Sequence, residues 1–241
     1  YTDIPELLSV SLGSAETTLL NITSAYASFA NGGKKIEPSL IERIQDRRGK
    51  TIFNSDNREC LGCDRFSKEL VQVPIIKDSY EQVFSEETAY QMTSILEGVI
   101  KRGTGKKLRD LDVPLAGKTG TTNNNFDAWF IGFTSDLVIG VYIGFDNPKS
   151  LGRFETGSKA ALPIFKSFVK EALYKEDFKE FSIPSGIYFK PINYNSGEQE
   201  DFNNKKAIIE AFKLKDINRT DNNNLDITNN YDKLIKFRQF Y

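Results

Sequence analysis

No histidine occurs among the 241 residues. That absence removes Ser-His-Asp triads, Cys-His pairs and histidine metal sites together. Acid–base chemistry in this chain has to run on lysine, carboxylates or tyrosine. Cysteine is nearly absent too: Cys60 and Cys63 form one C-x-x-C and nothing more. Without histidine that pair cannot fill a tetrahedral zinc site, so neither a metal nor another cofactor is expected. The spacing suits a small local disulfide in an oxidising compartment, with free thiols or a redox pair as the other readings. An excess of either charge is missing as well. Thirty-two basic residues face 33 acidic ones, and the net charge of −1 offers no basic field for nucleic acid or anionic lipid. Long apolar runs are lacking, since Leu137–Phe145 is half of the roughly 18 residues that a membrane span needs and contains two glycines.

What is present is a chain long enough for one large domain or two small ones. Its apolar fraction of 39%, with 18 Phe and 10 Tyr, is sufficient for a real core. The sequence begins at Tyr1 rather than at methionine, which suggests a processed or partial chain.

In order, the first strong signal is a helix capped by Thr17 or Thr18. Leu19, Ile22, Ala25, Tyr26 and Phe29 recur at helical spacing, and Asn31-Gly32-Gly33 ends the run. Two strand-like pieces, Lys35 to Arg43 and Lys50 to Asn54, flank Asp46-Arg47-Arg48-Gly49 and read as a hairpin. Residues 55–80 are polar and irregular and hold the cysteine pair. Ser85-Glu86-Glu87-Thr88 opens a second helix, with acidic residues where the helix dipole favours them. Arg102-Gly103-Thr104-Gly105 ends it, either as a simple C-terminal cap or as a loop bordering a site.

Three strand signals follow, at Leu115 to Thr122, Ala128 to Phe133 and Leu137 to Phe145. The turns between them are short enough to force antiparallel neighbours. A third helix is expected from about Lys159 to Tyr174. Beyond Ser196, asparagine, lysine and aspartate crowd in, which predicts a flexible tail with one short helix at Ala207 to Lys213. The plan is α+β, an antiparallel sheet flanked by helices.

The stretch with most chemistry is Lys118-Thr119-Gly120-Thr121-Thr122. An ammonium and three hydroxyls are donors suited to a carboxylate, and Gly120 lets a ligand approach the backbone closely. Taken alone, the same residues would also make an ordinary charged edge strand.

The order of motifs adds a resemblance. Leu12-Gly13-Ser14-Ala15-Glu16, Ala25 to Gly33, Arg102 to Gly105, Ala116 to Thr122, Asp127 to Phe133 and Gly144-Phe145-Asp146 succeed one another. In that order they resemble the C-terminal half of the transpeptidase domain of class A, 1A-type penicillin-binding proteins. K-T-G belongs to that family's signature set, which it shares with class A β-lactamases. The resemblance implies a β-lactamase/penicillin-binding transpeptidase-like fold over 1–190, with 191–241 as a polar tail. It also implies serine acyl transfer on D-Ala-D-Ala stem peptides and acylation by β-lactams.

By this resemblance Lys118 holds positive charge beside the substrate carboxylate. Thr119, Thr121 and Thr122 line the substrate, Gly120 leaves room, and the Thr121 backbone N–H supplies half of an oxyanion hole. The nucleophile is expected elsewhere. The only literal S-x-x-K, Ser167 to Lys170, follows the K-T-G, and the only S-x-N, Ser55-Asp56-Asn57, precedes it too closely. The catalytic serine, its lysine and the middle motif should therefore lie upstream of Tyr1, with a glycosyltransferase domain and the anchor to the periplasmic face of the inner membrane. Implied partners are the N-terminal half of the same protein and the cell-wall synthesis machinery. A non-catalytic remnant, and a carboxypeptidase or β-lactamase of the same fold, are the alternatives.

Overall fold

The computed structural model describes residues 4, 6–61, 74–173, 178–204 and 206–216. Helix α1 spans Leu19–Ala30, and Thr18 caps it by accepting the Asn21 N–H. Gly32 and Gly33 then take positive φ and turn the chain, as their lack of a Cβ permits. The hairpin is shorter than expected: β1 (Arg43–Gln45) pairs antiparallel with β2 (Thr51–Asn54). Residues before Arg43 instead run past the 78–84 segment, with Lys34 bridging Gln82 and Lys35 N–H bonding Glu81 O. Pro38 has no N–H to give a ladder there. Strands β3 (Cys60–Leu61) and β4 (Ile75–Ile76) make a second small pair. Cys60 is disulfide-bonded, and Cys63 lies outside the described residues.

Helix α2 (Glu86–Lys101) starts where the sequence predicts, with Ser85 accepting the Thr88 N–H and Glu86 and Glu87 in its first turn. Next comes the sheet that positions the site. Strands β5 (Ala116–Thr121), β6 (Ala128–Phe133) and β7 (Val138–Ile143) pair antiparallel in sequence order, in the register Thr121↔Ala128 and Phe133↔Val138.

Side chains alternate between the two faces. One face carries Gly117, Thr119, Thr121, Ala128 and Phe130 and receives α3 (Ala161–Ala172), with the Phe130 and Phe165 rings 4.8 Å apart. Leu108, Leu111, Leu162 and Val169 complete that core. The other face carries Ala116, Lys118, Gly120, Trp129, Ile131 and Phe133. There α1 packs on β7, where Gly140 leaves no room for a Cβ beneath Thr23.

The segment after α3 departs from expectation. Residues Ile187–Asn193 form β8, and Ala207–Lys213, expected as a short helix, form β9, paired from Ile187↔Lys213 to Asn193↔Ala207. The domain boundary expected at 190 thus falls inside β8. Pro191 argues against a strand in sequence, but a two-stranded ribbon has free edges that accept it. Ile208, Ile209 and Phe212 suit a strand, and β9 docks on α2 through Gln91 Nε2 donating to Ala211 O. Tyr90, Leu96, Phe133, Phe181, Ile187, Phe189 and Ala211 make this second core. No helix among the described residues is long and apolar enough to cross a membrane.

Candidate functional site at the β5 edge

Strand β5 pairs only with β6 among the described residues, which leaves its outer edge without a strand partner. Its two ends differ. Ala116 and Gly117 are buried where α2 packs against the strand, whereas Lys118 and Thr121 are exposed. The direction of each peptide follows from the turn: Thr122 N–H donates to Asp127 O at 3.1 Å, towards β6. Antiparallel ladders alternate, so the N–H and C=O groups of Thr119 and Thr121 point to the outer edge. Lys118 points its side chain to the face opposite those threonines, yet its flexible stem returns the ammonium to that edge. There Lys118 Nζ donates to Thr119 O at 2.7 Å. A positive charge and an outward backbone N–H therefore stand along one edge, about two residues apart.

The hydroxyls divide by role. Thr119 Oγ1 lies 2.9 Å from Thr104 Oγ1, so the glycine turn after α2 borders the β5 edge as well as ending the helix. Gly103 and Gly105 allow this tight turn, since a Cβ at either would strike Val99 or Ile100. Thr121 Oγ1 accepts Gly157 N–H at 3.0 Å and keeps its own proton to donate. Thr122 faces inward to the turn. Its Oγ1 accepts Asp127 N–H at 2.8 Å and donates to Asp127 Oδ2 at 3.2 Å, so its hydroxyl closes the β5–β6 connection. Asn125, in a left-handed conformation within that turn, donates to Gly152 O and Arg153 O, both at 2.9 Å. The 150–157 loop is thereby tied over one face of β5, with Gly157 against the Gly120 and Trp129 backbones.

The two literal serine motifs lie apart from this edge. Ser167 is exposed on α3, where its hydroxyl donates to Glu171 at 2.8 Å, while Lys170 faces Asp110 at 4.0 Å. Ser55 follows β2, and the adjacent Asp56 is held at about 2 by its hydrogen bond to the Arg58 guanidinium. No cluster of three or more His, Cys, Asp or Glu suited to a metal occurs among the described residues. Sequence reasoning left one contributor as an alternative and missed another. Thr104 lies in the Arg102 to Gly105 turn, whose two readings, cap and border of a site, both hold. Tyr142, whose hydroxyl donates to Asp127 Oδ1 at 2.8 Å, carries no local signal. That bond, aided by burial, raises the Tyr142 pKa above its ordinary value.

Comparison with known proteins agrees with the motif order and the sheet. The chain is 43% identical over 221 residues to penicillin-binding protein 1A of Rickettsia prowazekii, covering 90% of this chain and 27% of that protein. It is 35% identical over 244 residues to penicillin-binding protein 1A of Pseudomonas aeruginosa, covering 89% of this chain and 30% of that one. The chain thus spans between a quarter and a third of the length of these relatives. The crystal structure of penicillin-binding protein 1A from Haemophilus influenzae superposes with a TM-score of 0.70 at 31% identity, over 85% of this chain and 33% of that one. Residues 5–170, which run from the approach to α1 through the K-T-G strand and into α3, match the penicillin binding protein transpeptidase domain. The match of the domain over residues 5–170 and the identity to the 1A-type relatives place the chain in the penicillin-binding protein transpeptidase family.

Proposed function

We propose that the outer edge of β5 is the carboxylate-binding wall of a serine D,D-transpeptidase that cross-links peptidoglycan stem peptides and is acylated by β-lactams. The observation that carries this is the meeting of the Lys118 ammonium and the outward Thr121 N–H on one unpaired edge. Lys118 holds the terminal carboxylate by charge, and Thr119 and Thr121 add hydroxyl donors. Gly120 lets the ligand lie close to the backbone. The Thr121 N–H stabilises the oxygen that becomes negative when a serine adds to the peptide carbonyl. That serine forms an ester as terminal D-alanine leaves, and an amine of a second stem peptide then displaces the serine oxygen.

The serine, its lysine and the S-x-N element come from a part of the parent protein outside this sequence. Ser167 supports this by its position, since it sits on a helix covering the sheet and is bonded to Glu171. That the parent also polymerises glycan and is anchored at the periplasmic face of the inner membrane is part of this proposal; its support is the motif order that resembles 1A-type proteins, together with the 1A-type relatives' likeness to this chain.

Labelling with a fluorescent penicillin tests the assignment. The parent protein should label, Lys118→Ala in the parent should slow acylation by about a hundredfold, and the 241-residue chain alone should stay unlabelled. Labelling of any serine in the chain alone would overturn the external nucleophile. Wild-type rates in Lys118→Ala would overturn the role of the edge.

A further inference from the structure

Beside the β5 edge lies an aromatic surface that the carboxylate grip does not use. Along β6 every residue is buried except Trp129, which is only partly covered although its strand is central in the sheet. Its ring packs against Tyr142 of β7, centroids 4.5 Å apart, and Tyr142 is 41% exposed. Both project from the same face as Lys118 and Gly120. Trp129 stands directly across from Gly120, and a Cβ at position 120 would approach Trp129 Cβ to 3.1 Å. With glycine there, position 120 itself puts no side chain between the outer edge of β5 and the indole ring.

The pair is also braced. Tyr142 donates to Asp127 Oδ1 and Thr122 to Asp127 Oδ2, so one carboxylate fixes the tyrosine to the turn that ends β5. A side chain at Gly144 would collide with the Tyr142 hydroxyl, so the glycine there is what permits this bond. A rigid indole left partly open, reached across a glycine, offers a flat apolar face to whatever the edge holds.

We infer that Trp129, held by the Tyr142–Asp127–Thr122 brace, is a ligand subsite that takes the apolar group next to the bound carboxylate, such as the methyl of a terminal D-alanine. The inference rests on the carboxylate-grip reading above. Trp129 touches the ligand and sets specificity, whereas Tyr142 is a positioning residue acting through Trp129. A terminal residue with a side-chain methyl places it over Gly120 against the ring. A terminal glycine leaves that area wet.

Trp129 is the only tryptophan in the chain, so its emission reports on this spot alone. The 241-residue protein is titrated with N-acetyl-D-Ala-D-Ala and with N-acetyl-D-Ala-Gly, affinity being read by ligand-observed saturation-transfer NMR and the indole by its emission. The expected result is a shifted emission with the D-alanine-ended peptide and a preference of about fourfold for it, the value of one buried methyl group. That preference should vanish in Trp129→Ala and shrink in Tyr142→Phe, which keeps the ring and loses the bond to Asp127.

If both peptides bind, and Lys118→Ala abolishes binding, but the emission stays fixed or Trp129→Ala keeps the preference, the subsite is wrong and the grip stands. If neither peptide binds, the grip fails and the subsite fails with it. The emission measurement needs no variant, so a poorly folding Trp129→Ala does not protect the idea.

Discussion

At the scale of single residues, the site depends on small groups more than on large ones. Gly157 shows this. Its N–H holds Thr121 Oγ1, and a Cβ on it would run into the carbonyl oxygens of Gly120 and Trp129, which are backbone atoms that cannot rotate away. We therefore expect Gly157→Ala to destabilise the chain by about 1–3 kcal/mol, read as a lower denaturant midpoint with unchanged slope. An unchanged midpoint would mean that the 150–157 loop is not held against β5. Lys118, Thr119, Gly120 and Thr121 were legible in the sequence because they are neighbours along the chain and stand within an ordered series of motifs. Tyr142 was not, because its relation to β5 runs across β6, and Thr104 was legible only as one of two readings of its turn.

Among elements, α3 decides how firmly the sheet is held. Phe165 is fully buried between Phe130 and Gly132. Phe165→Ala removes a ring from a packed core and should cost about 3–5 kcal/mol, measurable by chemical denaturation. Two residues along the same helix, Ser167 is exposed and bonded only to its own helix neighbour Glu171. Ser167→Ala should change stability by no more than about 0.5 kcal/mol and leave penicillin acylation of the parent intact. Loss of acylation in that variant would make Ser167 the nucleophile after all. The contrast separates a helix built for packing from a literal S-x-x-K that sits on it. Helical periodicity gave α1, α2 and α3 nearly to the residue, because their apolar stripes face cores on either side of the sheet. Strand β9 was mistaken for a helix because Ala, Glu and Lys are helix formers, and only β8 alongside it supplies the ladder that overrides them.

At the scale of the whole molecule, the β8–β9 ribbon is the part that sequence composition concealed, and its attachment should respond to pH. Arg102, in the turn after α2, forms an ion pair with Glu210 on β9, and Lys101 and Glu97 also face that carboxyl. Burial raises the Glu210 pKa above its ordinary 4.5, outweighing the attraction of Arg102 and Lys101. A group whose pKa rises on folding contributes stability that is complete below its unfolded pKa and is lost as pH climbs through the folded one. Protection of the Ala207–Lys213 amides should therefore fall as pH rises above about 4.5, after correction for intrinsic exchange. It should stay level in Glu210→Gln. Glu200, at the far end of the ribbon, is lowered by Asn193 and Asn204 and so acts in the opposite direction at lower pH. Equal protection of wild type and Glu210→Gln across that range would remove Glu210 from the account.

The sequence by itself determined the helices, the three antiparallel strands and the K-T-G-T-T run, because each depends on neighbours a few positions apart: periodicity, caps and short turns. It also determined, through the missing histidine, that none of these 241 residues can serve as an imidazole base. Tertiary structure alone decided which edge of β5 stays open and that the Lys118 ammonium returns to it. It likewise decided that Thr122 belongs to the turn, that Thr104 and Gly157 flank the strand, and that Trp129 looks out beside Gly120. Apart from the Lys118–Thr119 contact, these join residues 5 to 36 positions apart. They exist only once the sheet has closed, and no local propensity encodes them.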